Sequence, residues 1–334
     1  MADGQPVAPV QTIEDVWEAY QEDIDEVEAH IRRSLDEPSP LIKEVGLHIL
    51  NGGGKRIRPL LLILCAHLCG YIAKKDLALG SFIEFIHTAT LLHDDVLDEA
   101  DLRRGQQTAR RIWGNKTSIL VGDYLYSLAM SQIAGFQNHG MNETLSDACR
   151  KMAEGEILQL CANYQPTITE SDYLRIIEYK TGALVASTCK VGAIIGGATP
   201  AQQAALYHFG LHLGMAFQLA DDRLDYIANG NRLGKTLGQD LKQGMVTLPL
   251  LHLLQHCSTQ DRETIIHHMI NQTVEEKDLL HIINLMNEHG SMAYAAHRAQ
   301  EFIDAASLDL KPFDDCMAKR SLRIVAGYML NRDR

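Results

Sequence analysis

Residues 82–98 read FIEFIHTATLLHDDVLD, and this stretch decides the fold class. Its apolar residues recur at the spacing of one helix face, at Phe82, Phe85, Ile86, Ala89, Leu92 and Val96. Recurrence at intervals of three and four residues indicates an amphipathic α-helix, whereas a strand would alternate apolar and polar residues. The segments on either side show the same period and almost no strand-like alternation. The sequence therefore predicts an all-α fold.

The helical period continues along the whole chain of 334 residues, with Gly or Pro between the segments. The predicted helices cover residues 10–35, 39–51, 58–70, 76–101, 116–136, 142–163, 170–196, 201–229, 245–256, 260–270, 274–289, 291–307 and 313–330. No linker rich in Pro, Gly or Ser divides them. We therefore expect one all-helical domain over residues 1–334, in which about residues 1–38 form an acidic N-terminal arm and helix.

Composition and charge narrow the possible functions. Hydrophobic residues make up 46% of the chain and charged residues 22%, an ordinary balance for a folded globular protein. The net charge of -12 argues against nucleic acid as a partner, because binding to a phosphate backbone needs a basic surface. Apolar runs are too short for a membrane span, and no signal peptide is evident. The seven cysteines form no CxxC pair, so we expect reduced thiols in a cytoplasmic protein.

A DDxxD motif occurs twice, each time within a predicted helix. The two motifs consist of Asp94, Asp95 and Asp98, and of Asp221, Asp222 and Asp225. Aspartates four residues apart share a helix face, where like charges cost about 0.2–0.5 kcal/mol per pair. A bound cation would remove this repulsion. Oxygen-only ligands favour a hard ion such as Mg²⁺, whose coordination is usually completed by substrate phosphates.

Two other interpretations of these motifs are possible. A DDxxD in an acidic protein can be a solvated acidic face, although Thr90 and His87 before the first motif and Gln218 before the second are uncharged. A di-iron bundle also directs carboxylates inward, but it needs two Glu-x-x-His motifs. Only Glu84 to His87 has that spacing here.

Basic residues accompany both aspartate motifs. Residues 52–59 read GGGKRIRP, Arg103-Arg104-Gly105 follows the first motif, and Lys180-Thr181-Gly182 lies within a predicted helix. Residues 229–244 form a Gly-rich basic loop after the second motif, which is typical of a phosphate lid and does not have Walker A spacing. Arginine can bind a diphosphate bidentately while Mg²⁺ joins other oxygens of that group to carboxylates. Alternatively, Arg103 and Arg104 stabilise a helix C-terminus through its dipole.

In order and spacing, these motifs resemble those of the trans-isoprenyl diphosphate synthases. The similarity runs from about residue 40 to the C-terminus and includes GGGKRIRP, the first DDxxD followed by RRG, AEGEILQL, KTG, FQLADDRLDY and GKTLGQDLKQG. The resemblance implies an isoprenoid-synthase-type helical bundle around a central cavity, usually as a homodimer. It also implies that the two aspartate motifs face each other across the cavity mouth.

The activity that the resemblance implies is repeated addition of isopentenyl diphosphate to an allylic diphosphate, here farnesyl diphosphate. Two or three Mg²⁺ ions per site would be held by Asp94, Asp95, Asp98, Asp221 and Asp225. Further contacts to the allylic diphosphate would come from Arg103, Lys180, Thr181, Gln218 and Lys235. Isopentenyl diphosphate would be held by Lys55, Arg58, His87 and Arg104. Asp222 joins the other aspartates among the expected catalytic residues.

The resemblance extends to the long-chain synthases that supply quinone side chains, which implies an octaprenyl product delivered to the membrane. Side chains on the helix before the first motif limit chain length in this family. The resemblance implies that the small residues Ala89 and Thr90 leave open a tunnel for the growing hydrocarbon chain. Candidates for its floor are Ile86, Phe85 and Phe82, or Met130 on a neighbouring helix.

One residue departs from the family pattern, and several functions compete. Met245 stands where relatives commonly have lysine. A shorter- or longer-chain synthase would carry the same motifs. A class I terpene cyclase would normally carry an Asn/Ser/Glu metal triad in place of the second DDxxD, and a regulatory subunit would be favoured by a degraded motif. Both motifs are intact, which favours an active prenyl synthase.

Overall fold

The computed structural model describes residues 10–36, 39–71, 73, 78–227 and 237–330. Its helices are α1 Ile13–Ala19, α2 Gln21–Ser34, α3 Pro40–Asn51, α4 Ile57–Leu68, α5 Ala78–Leu97, α6 Ala109–Trp113, α7 Asn115–Gly135, α8 His139–Ala162, α9 Glu170–Ile177, α10 Ala183–Ile195, α11 Pro200–Ile227, α12 Gln239–Lys242, α13 Leu248–His256, α14 Thr259–Ile270, α15 Glu276–Glu288, α16 Ser291–Asp309 and α17 Met317–Leu330. A π-helix, Glu178–Gly182, joins α9 to α10. Two short antiparallel strands, β1 Leu102–Arg103 and β2 Gln106–Gln107, are the only strands in the described residues. The all-α prediction is confirmed.

Some helix boundaries differ from those predicted. A single helix over residues 10–35 is wrong, because the backbone at Tyr20 leaves the helical region (φ -116°, ψ 13°) between α1 and α2. The ring of Tyr20 is buried and lies 5.5 Å from the ring of His67 on α4. Helix α5 ends at Leu97 rather than at residue 101, and Glu99 just beyond it has a positive φ of 50°. Residues 1–9, 37–38, 76–77 and 228–236 of the predicted arm, helices and loop lie outside the described residues.

Helix α4 lies at the centre of the larger hydrophobic core. Leu60 through Ala66 are all 0% exposed, so every face of this helix is covered. Burying a leucine side chain fully is worth about 1.5–3 kcal/mol. Helix α10 packs closely against α4 because a Cβ atom on Gly192 would lie only 2.5 Å from the carbonyl oxygen of Leu62. No helix in the described part of the chain is long and apolar enough to cross a membrane.

Helix α11 runs through both hydrophobic clusters of the molecule. Leu206, Phe209 and Leu213 in its first half pack in the core around α4, α5, α7 and α10. Leu219 and Tyr226 in its second half belong to a second cluster that α9 and α13–α16 complete. The second DDxxD motif therefore projects from the half of α11 that the second cluster holds.

Glycines bring the backbones of α8, the π-helix and α11 into direct contact. A Cβ atom on Gly155 would lie 2.6 Å from the backbone nitrogen of Lys180, and one on Gly214 would lie 2.8 Å from the Cα of Gly182. Real Cβ atoms do not approach so closely, so larger residues at these positions would push the helices apart. This packing places Lys180 and Thr181 between α8 and α11.

Candidate active site

The first DDxxD motif lies at the end of α5, and its three aspartates have different surroundings. Asp94 is half-buried, Asp95 is 1% exposed and Asp98 is exposed. Arg103, on strand β1, donates from Nε to Oδ1 of Asp95 at 2.8 Å. Arg103 therefore does more than lie near the C-terminus of the helix, because its side chain binds a carboxylate of the motif.

Burial disfavours the ionised form of two carboxyl groups in this motif. Burial raises the pKa of Asp94 to about 7, and Glu156 and Asp98 add to the increase while Lys180 opposes it. Burial also raises the pKa of Asp95, although Arg103 acts in the opposite direction. A raised carboxyl pKa means that the ionised form is disfavoured until a cation arrives.

Lys180 of the π-helix forms an ion pair with Glu156 of α8. Its Nζ lies 2.8 Å from Oε1 and 2.9 Å from Oε2 of Glu156. Burial alone would lower the pKa of Lys180, but Glu156, Asp94 and Asp98 outweigh it, and the pKa is raised. Glu156 was not among the predicted site residues, although it lies in the segment AEGEILQL that carries the family resemblance. Its position within that segment was the only sign in the sequence that Glu156 belongs to the site.

The second DDxxD motif, on α11, is integrated into the hydrogen-bond network of the fold. Asp222 is 6% exposed and accepts from Tyr173 Oη at 2.6 Å and from Gln218 Nε2 at 2.7 Å. Burial raises the pKa of Asp222 to about 7, and these two hydrogen bonds oppose the increase. Asp221 and Asp225 are half-buried.

Asp225 connects the second motif to the segment that follows the Gly-rich loop. Its carboxylate accepts from the backbone nitrogen of Gln239 at 3.2 Å and from that of Asp240 at 3.0 Å, at the start of α12. The carbonyl oxygen of Asp225 accepts a further hydrogen bond from the backbone nitrogen of Gly238 at 2.9 Å. Asp225 therefore holds the C-terminal end of that loop against α11.

Adjacent residues of the π-helix reach toward the two motifs. Lys180 interacts electrostatically with Asp94 and Asp98 of the first motif. Thr181 donates from Oγ1 to Oε1 of Gln218 at 2.7 Å, and Gln218 in turn contacts Asp222 of the second. The structure therefore brings Thr181 and Gln218 into contact and places Lys180 beside them, while their assignment to one diphosphate site stays a prediction.

A second group of predicted residues converges beside the first motif. A Cβ atom on Gly54 would lie 3.2 Å from Nη1 of Arg104, so the GGGKRIRP segment meets the hairpin that carries Arg104. Burial lowers the pKa of His87 well below its usual value, and Arg58, Arg104, Arg103 and Arg56 lower it further. His87 is therefore neutral near pH 7 and lies close to these four arginines.

Lys55 belongs to the same segment but contacts the last described helix. Its Nζ is 4.5 Å from the centre of the Tyr328 ring on α17 and also contacts the Tyr328 hydroxyl group. Lys55 is exposed, so its side chain can turn toward a ligand at modest cost. The remaining predicted cation, Lys235, lies outside the described residues.

The carboxylate oxygens of the two motifs are suitable ligands for a hard divalent cation that also binds phosphate oxygens. Oδ2 of Asp95 is buried and has no hydrogen-bond partner in the part of the chain that is described. No three His, Cys, Asp or Glu residues among the described ones are grouped closely enough to hold a metal alone. Because the protein ligands are oxygens spread over two helices, a ligand diphosphate would have to supply the rest of the coordination.

This combination of a helical fold, two aspartate motifs and converging cations is matched in known proteins. Residues 39–286 match the polyprenyl synthetase family. The chain is 40% identical to the octaprenyl diphosphate synthase of Escherichia coli (strain K12) over 322 residues, 96% of this chain and 99% of that protein. The chain belongs to the polyprenyl synthetase family.

Solved structures of the polyprenyl synthetase family have the same fold. The decaprenyl diphosphate synthase from Rhodobacter capsulatus superposes with a TM-score of 0.91 at 38% identity, covering 96% of this chain and 99% of that chain. A polyprenyl synthase from Caulobacter crescentus CB15, complexed with calcium and isoprenyl diphosphate, gives a TM-score of 0.92 at 33% identity, covering 97% and 99%. The protein is therefore a metal-dependent prenyltransferase, a long-chain trans-polyprenyl diphosphate synthase acting on isoprenoid diphosphates.

In this polyprenyl synthetase, the residues expected to control chain length lie along α5. Phe82, Phe85, Ile86 and Ala89 are all buried. Thr90 is half-buried and donates from Oγ1 to the carbonyl oxygen of His87 at 2.8 Å, so its hydroxyl group is bonded within the helix. The Phe82 ring lies 6.3 Å from the ring of Phe136, which directly follows α7. Met130 lies on α7 itself.

Met245 occupies a structured position after α12. Its backbone nitrogen donates to the carbonyl oxygen of Asp240 at 2.8 Å. The preceding Gly244 has a φ of 74°, and a Cβ atom on it would lie 2.4 Å from the Tyr164 ring. Glycine is therefore required at residue 244, whereas nothing in the structure explains methionine in place of lysine at residue 245.

Proposed function

We propose that this polyprenyl synthetase adds isopentenyl diphosphate repeatedly to farnesyl diphosphate, with Mg²⁺, to make octaprenyl diphosphate for quinone side chains. The observation that carries the proposal is the π-helix, whose adjacent residues Lys180 and Thr181 reach toward the two aspartate motifs. A diphosphate bound there would meet a cation, a hydroxyl group and an amide between two acidic clusters. The similarity to the octaprenyl diphosphate synthase of Escherichia coli supports the product length.

The allylic diphosphate would bind between the motifs. Two or three Mg²⁺ ions would be held by Asp94, Asp95, Asp98, Asp221 and Asp225, and would neutralise the charge that develops on the departing diphosphate. The other groups proposed to contact this diphosphate are Arg103, Lys180, Thr181, Gln218 and Lys235. Asp222 would act indirectly, by holding Gln218, because both of its oxygens already accept hydrogen bonds within the fold.

Isopentenyl diphosphate would bind at the second group of cations. Lys55, Arg58 and Arg104 would pair with its phosphate oxygens, and neutral His87 would donate a hydrogen bond to one of them. This arrangement favours a synthase over a class I terpene cyclase, which has no second diphosphate to bind. It also leaves the hydrocarbon end of the substrate free to meet the allylic carbon.

The reaction needs no nucleophilic side chain. The allylic C–O bond breaks, and diphosphate leaves with the electron pair. The double bond of isopentenyl diphosphate then attacks the resulting allylic cation and forms the new C–C bond. Loss of a proton from the adjacent carbon restores a double bond, with the released diphosphate as the base. The chain contributes by fixing both diphosphates and by stabilising charge on the leaving group, which is commonly the largest catalytic effect.

We also propose that the protein acts as a homodimer. Helix α7 exposes Ile119, Leu120 and Tyr126, which are 41%, 67% and 39% exposed. Exposed apolar side chains along one helix are typical of a protein interface. Light scattering of the purified protein would give its mass in solution, and a monomer would contradict this part of the proposal.

The decisive experiment is to incubate the purified protein with farnesyl diphosphate, isopentenyl diphosphate and Mg²⁺ and to separate the dephosphorylated products by chromatography. We expect octaprenol, no product when a chelator is present, and recovery when Mg²⁺ is added back. A predominant product of another length would refute the octaprenyl assignment. A cyclic hydrocarbon formed without isopentenyl diphosphate would indicate a cyclase, and no product under any condition would indicate a regulatory subunit.

A further inference from the structure

A buried tyrosine outside all of the sequence motifs touches the second DDxxD motif. Tyr173, on α9, is 4% exposed, and its hydroxyl group donates a 2.6 Å hydrogen bond to Oδ2 of Asp222. Burial raises the pKa of Tyr173 well above its usual value, so the hydroxyl group keeps its proton and remains a donor. None of the chemistry proposed above uses this residue.

The hydrogen bond from Tyr173 is the first of a series that ends at the proposed diphosphate site. Oδ1 of Asp222 accepts from Nε2 of Gln218 at 2.7 Å, and Oε1 of Gln218 accepts from Oγ1 of Thr181 at 2.7 Å. The series therefore joins α9, α11 and the π-helix. Each of its hydrogen bonds is short, and its first two members are buried.

The chemistry of the series fixes the orientation of the Gln218 amide group. The NH₂ group of Gln218 faces Asp222 and donates to its Oδ1, which is the orientation that an ionised carboxylate requires, because such a group can only accept hydrogen bonds. The amide oxygen must then face Thr181, whose hydroxyl group can donate. Turning the amide by half a rotation would place its oxygen against a carboxylate oxygen and leave both without a donor.

This orientation matters for a phosphate ligand. Phosphate oxygens are acceptors, so they are attracted by an N–H group and repelled by a carbonyl oxygen. Nε2 of Gln218 carries a second hydrogen that the bond to Asp222 does not use. Which side of the amide group faces the ligand therefore decides whether Gln218 favours or opposes diphosphate binding.

We propose that Tyr173 is a positioning residue for the allylic diphosphate. Its hydroxyl group holds one oxygen of Asp222, and Asp222 holds the Gln218 amide in the orientation that offers N–H to the ligand. The inference rests on the proposed function, because it takes the diphosphate to bind beside Gln218. Tyr173 acts through Asp222 and Gln218 and does not touch the substrate.

The test compares two buried tyrosines. Tyr173→Phe removes the hydrogen bond to Asp222, whereas Tyr226→Phe removes a hydroxyl group that lies 3.3 Å from Oγ1 of Thr247. The affinity for farnesyl thiodiphosphate, an analogue that ionises poorly, is measured by calorimetry with Mg²⁺. We expect Tyr173→Phe to weaken binding by about tenfold. The Gln218 N–H group would no longer be held toward the diphosphate, and one hydrogen bond to that charged group would be lost. Tyr226→Phe should change it by less than about twofold.

A double-mutant cycle separates positioning from general stabilisation. If Tyr173 acts through Gln218, then Tyr173→Phe has no further effect on analogue affinity in a chain that already carries Gln218→Ala. An equal loss in both backgrounds would overturn the inference. The Michaelis constant for isopentenyl diphosphate should change by less than about twofold in Tyr173→Phe, because that substrate does not meet Gln218.

A second variant keeps the test valid if Tyr173→Phe folds poorly. Asp222→Asn keeps the shape of the side chain but places an NH₂ group in it, which can turn the Gln218 amide around, so the same loss of analogue affinity is expected. Unchanged affinity in both variants would overturn the inference alone. Failure of the unmodified protein to bind the analogue would overturn the proposed function together with the inference.

Discussion

The two DDxxD motifs have the same aspartate pattern, but the protein holds their middle aspartates differently. Asp95 of the first motif pairs with the guanidinium group of Arg103, which belongs to a surface hairpin. Asp222 of the second motif accepts from the uncharged groups of Tyr173 and Gln218. The middle aspartate of the first motif is therefore held by a charged group, and that of the second by uncharged groups of the hydrogen-bond network. An identical sequence pattern does not imply identical physical roles.

The third aspartates of the motifs extend this contrast. Asp98 is exposed to solvent, whereas Asp225 accepts from two backbone N–H groups at the start of α12. Asp225 therefore has a fixed position before any ligand binds, and Asp98 has more freedom to adjust.

The largest expected effect comes from removing one proposed metal ligand from each motif. Asp94→Ala and Asp221→Ala should each lower kcat by at least about 10²–10³, because each takes away charge stabilisation at the departing diphosphate. Asp94→Ala should also raise the melting temperature of the ligand-free protein, since burial and Glu156 oppose the ionisation of Asp94. Steady-state kinetics would measure kcat, and calorimetry would measure the melting temperature. Near-normal turnover in either variant would remove that residue from the metal site.

Product length should respond to changes beside the first motif and not beside the second. Ala89 and Ala216 are both buried, and each lies five residues before the first aspartate of its motif. Ala89→Tyr, or Thr90→Phe, should shorten the product to farnesyl or geranylgeranyl diphosphate by blocking the tunnel. Ala216→Tyr should only overpack the core, at a cost of about 1–3 kcal/mol. An unchanged octaprenol peak from folded Ala89→Tyr protein would contradict the tunnel assignment.

Substitutions should also separate the two diphosphate sites. Arg104→Ala should raise the Michaelis constant for isopentenyl diphosphate by about tenfold or more, the value of a charged hydrogen bond. Thr181→Val should instead raise the constant for farnesyl diphosphate by a smaller factor, because it removes one uncharged group. Varying each substrate in turn gives both constants. Equal changes for both substrates in both variants would show that the assigned division is wrong.

Glu156 offers a narrower test on the side of the first motif. Glu156→Gln should raise the Michaelis constant for farnesyl diphosphate by about threefold to tenfold, because Lys180 loses the partner that holds it. Glu154, two residues earlier, pairs with Arg150 at 2.8 Å and Arg175 at 3.4 Å in an exposed setting. Exposed ion pairs contribute little, so Glu154→Gln is the matched control and should leave the constant unchanged. The same increase in the Michaelis constant for both variants would show that Glu156 has no specific role at the site.

The smallest effect should appear in the stability of the ligand-free protein. The pKa values of Asp94 and Asp222 are both raised to about 7, so the folded protein holds protons that the unfolded chain releases at lower pH. Stability should therefore fall as the pH rises from about 4 through about 7. We expect the melting temperature to be about 2–4 °C higher at about pH 6 than at about pH 8. Asp94→Asn should reduce this difference, and a melting temperature that rises with pH would contradict the pKa assignments.

The sequence predicted the helices and the motif residues well because both depend on local signals. Apolar residues three and four positions apart identify a helix without knowledge of its partners, and each DDxxD lies within a helical turn. The break at Tyr20 could not be predicted in this way, because no Gly or Pro marks it in the sequence. The hairpin at residues 102–107 is equally hidden, because its two strands are too short to show a period.

The parts of the site that the sequence did not predict involve partners distant along the chain. Tyr173 lies 49 positions from Asp222, and Glu156 lies 24 positions from Lys180. No pattern in a single sequence relates such pairs, and a buried tyrosine on an apolar helix face looks like an ordinary core residue. The polar networks around the motifs therefore emerged only when the helices were placed side by side.

The π-helix at Glu178–Gly182 limits how this protein can change length during evolution or design. A π-helix holds an extra residue relative to the α-helix that it interrupts. Deleting one residue there would let α9 and α10 merge into a straight helix. Because the π-helix absorbs that extra residue, the turns on either side would keep their present phase, and the side chains of the π-helix itself would change direction. Lys180 and Thr181 could no longer both keep their present partners, so we expect insertions and deletions to be excluded from this segment even where single substitutions are tolerated.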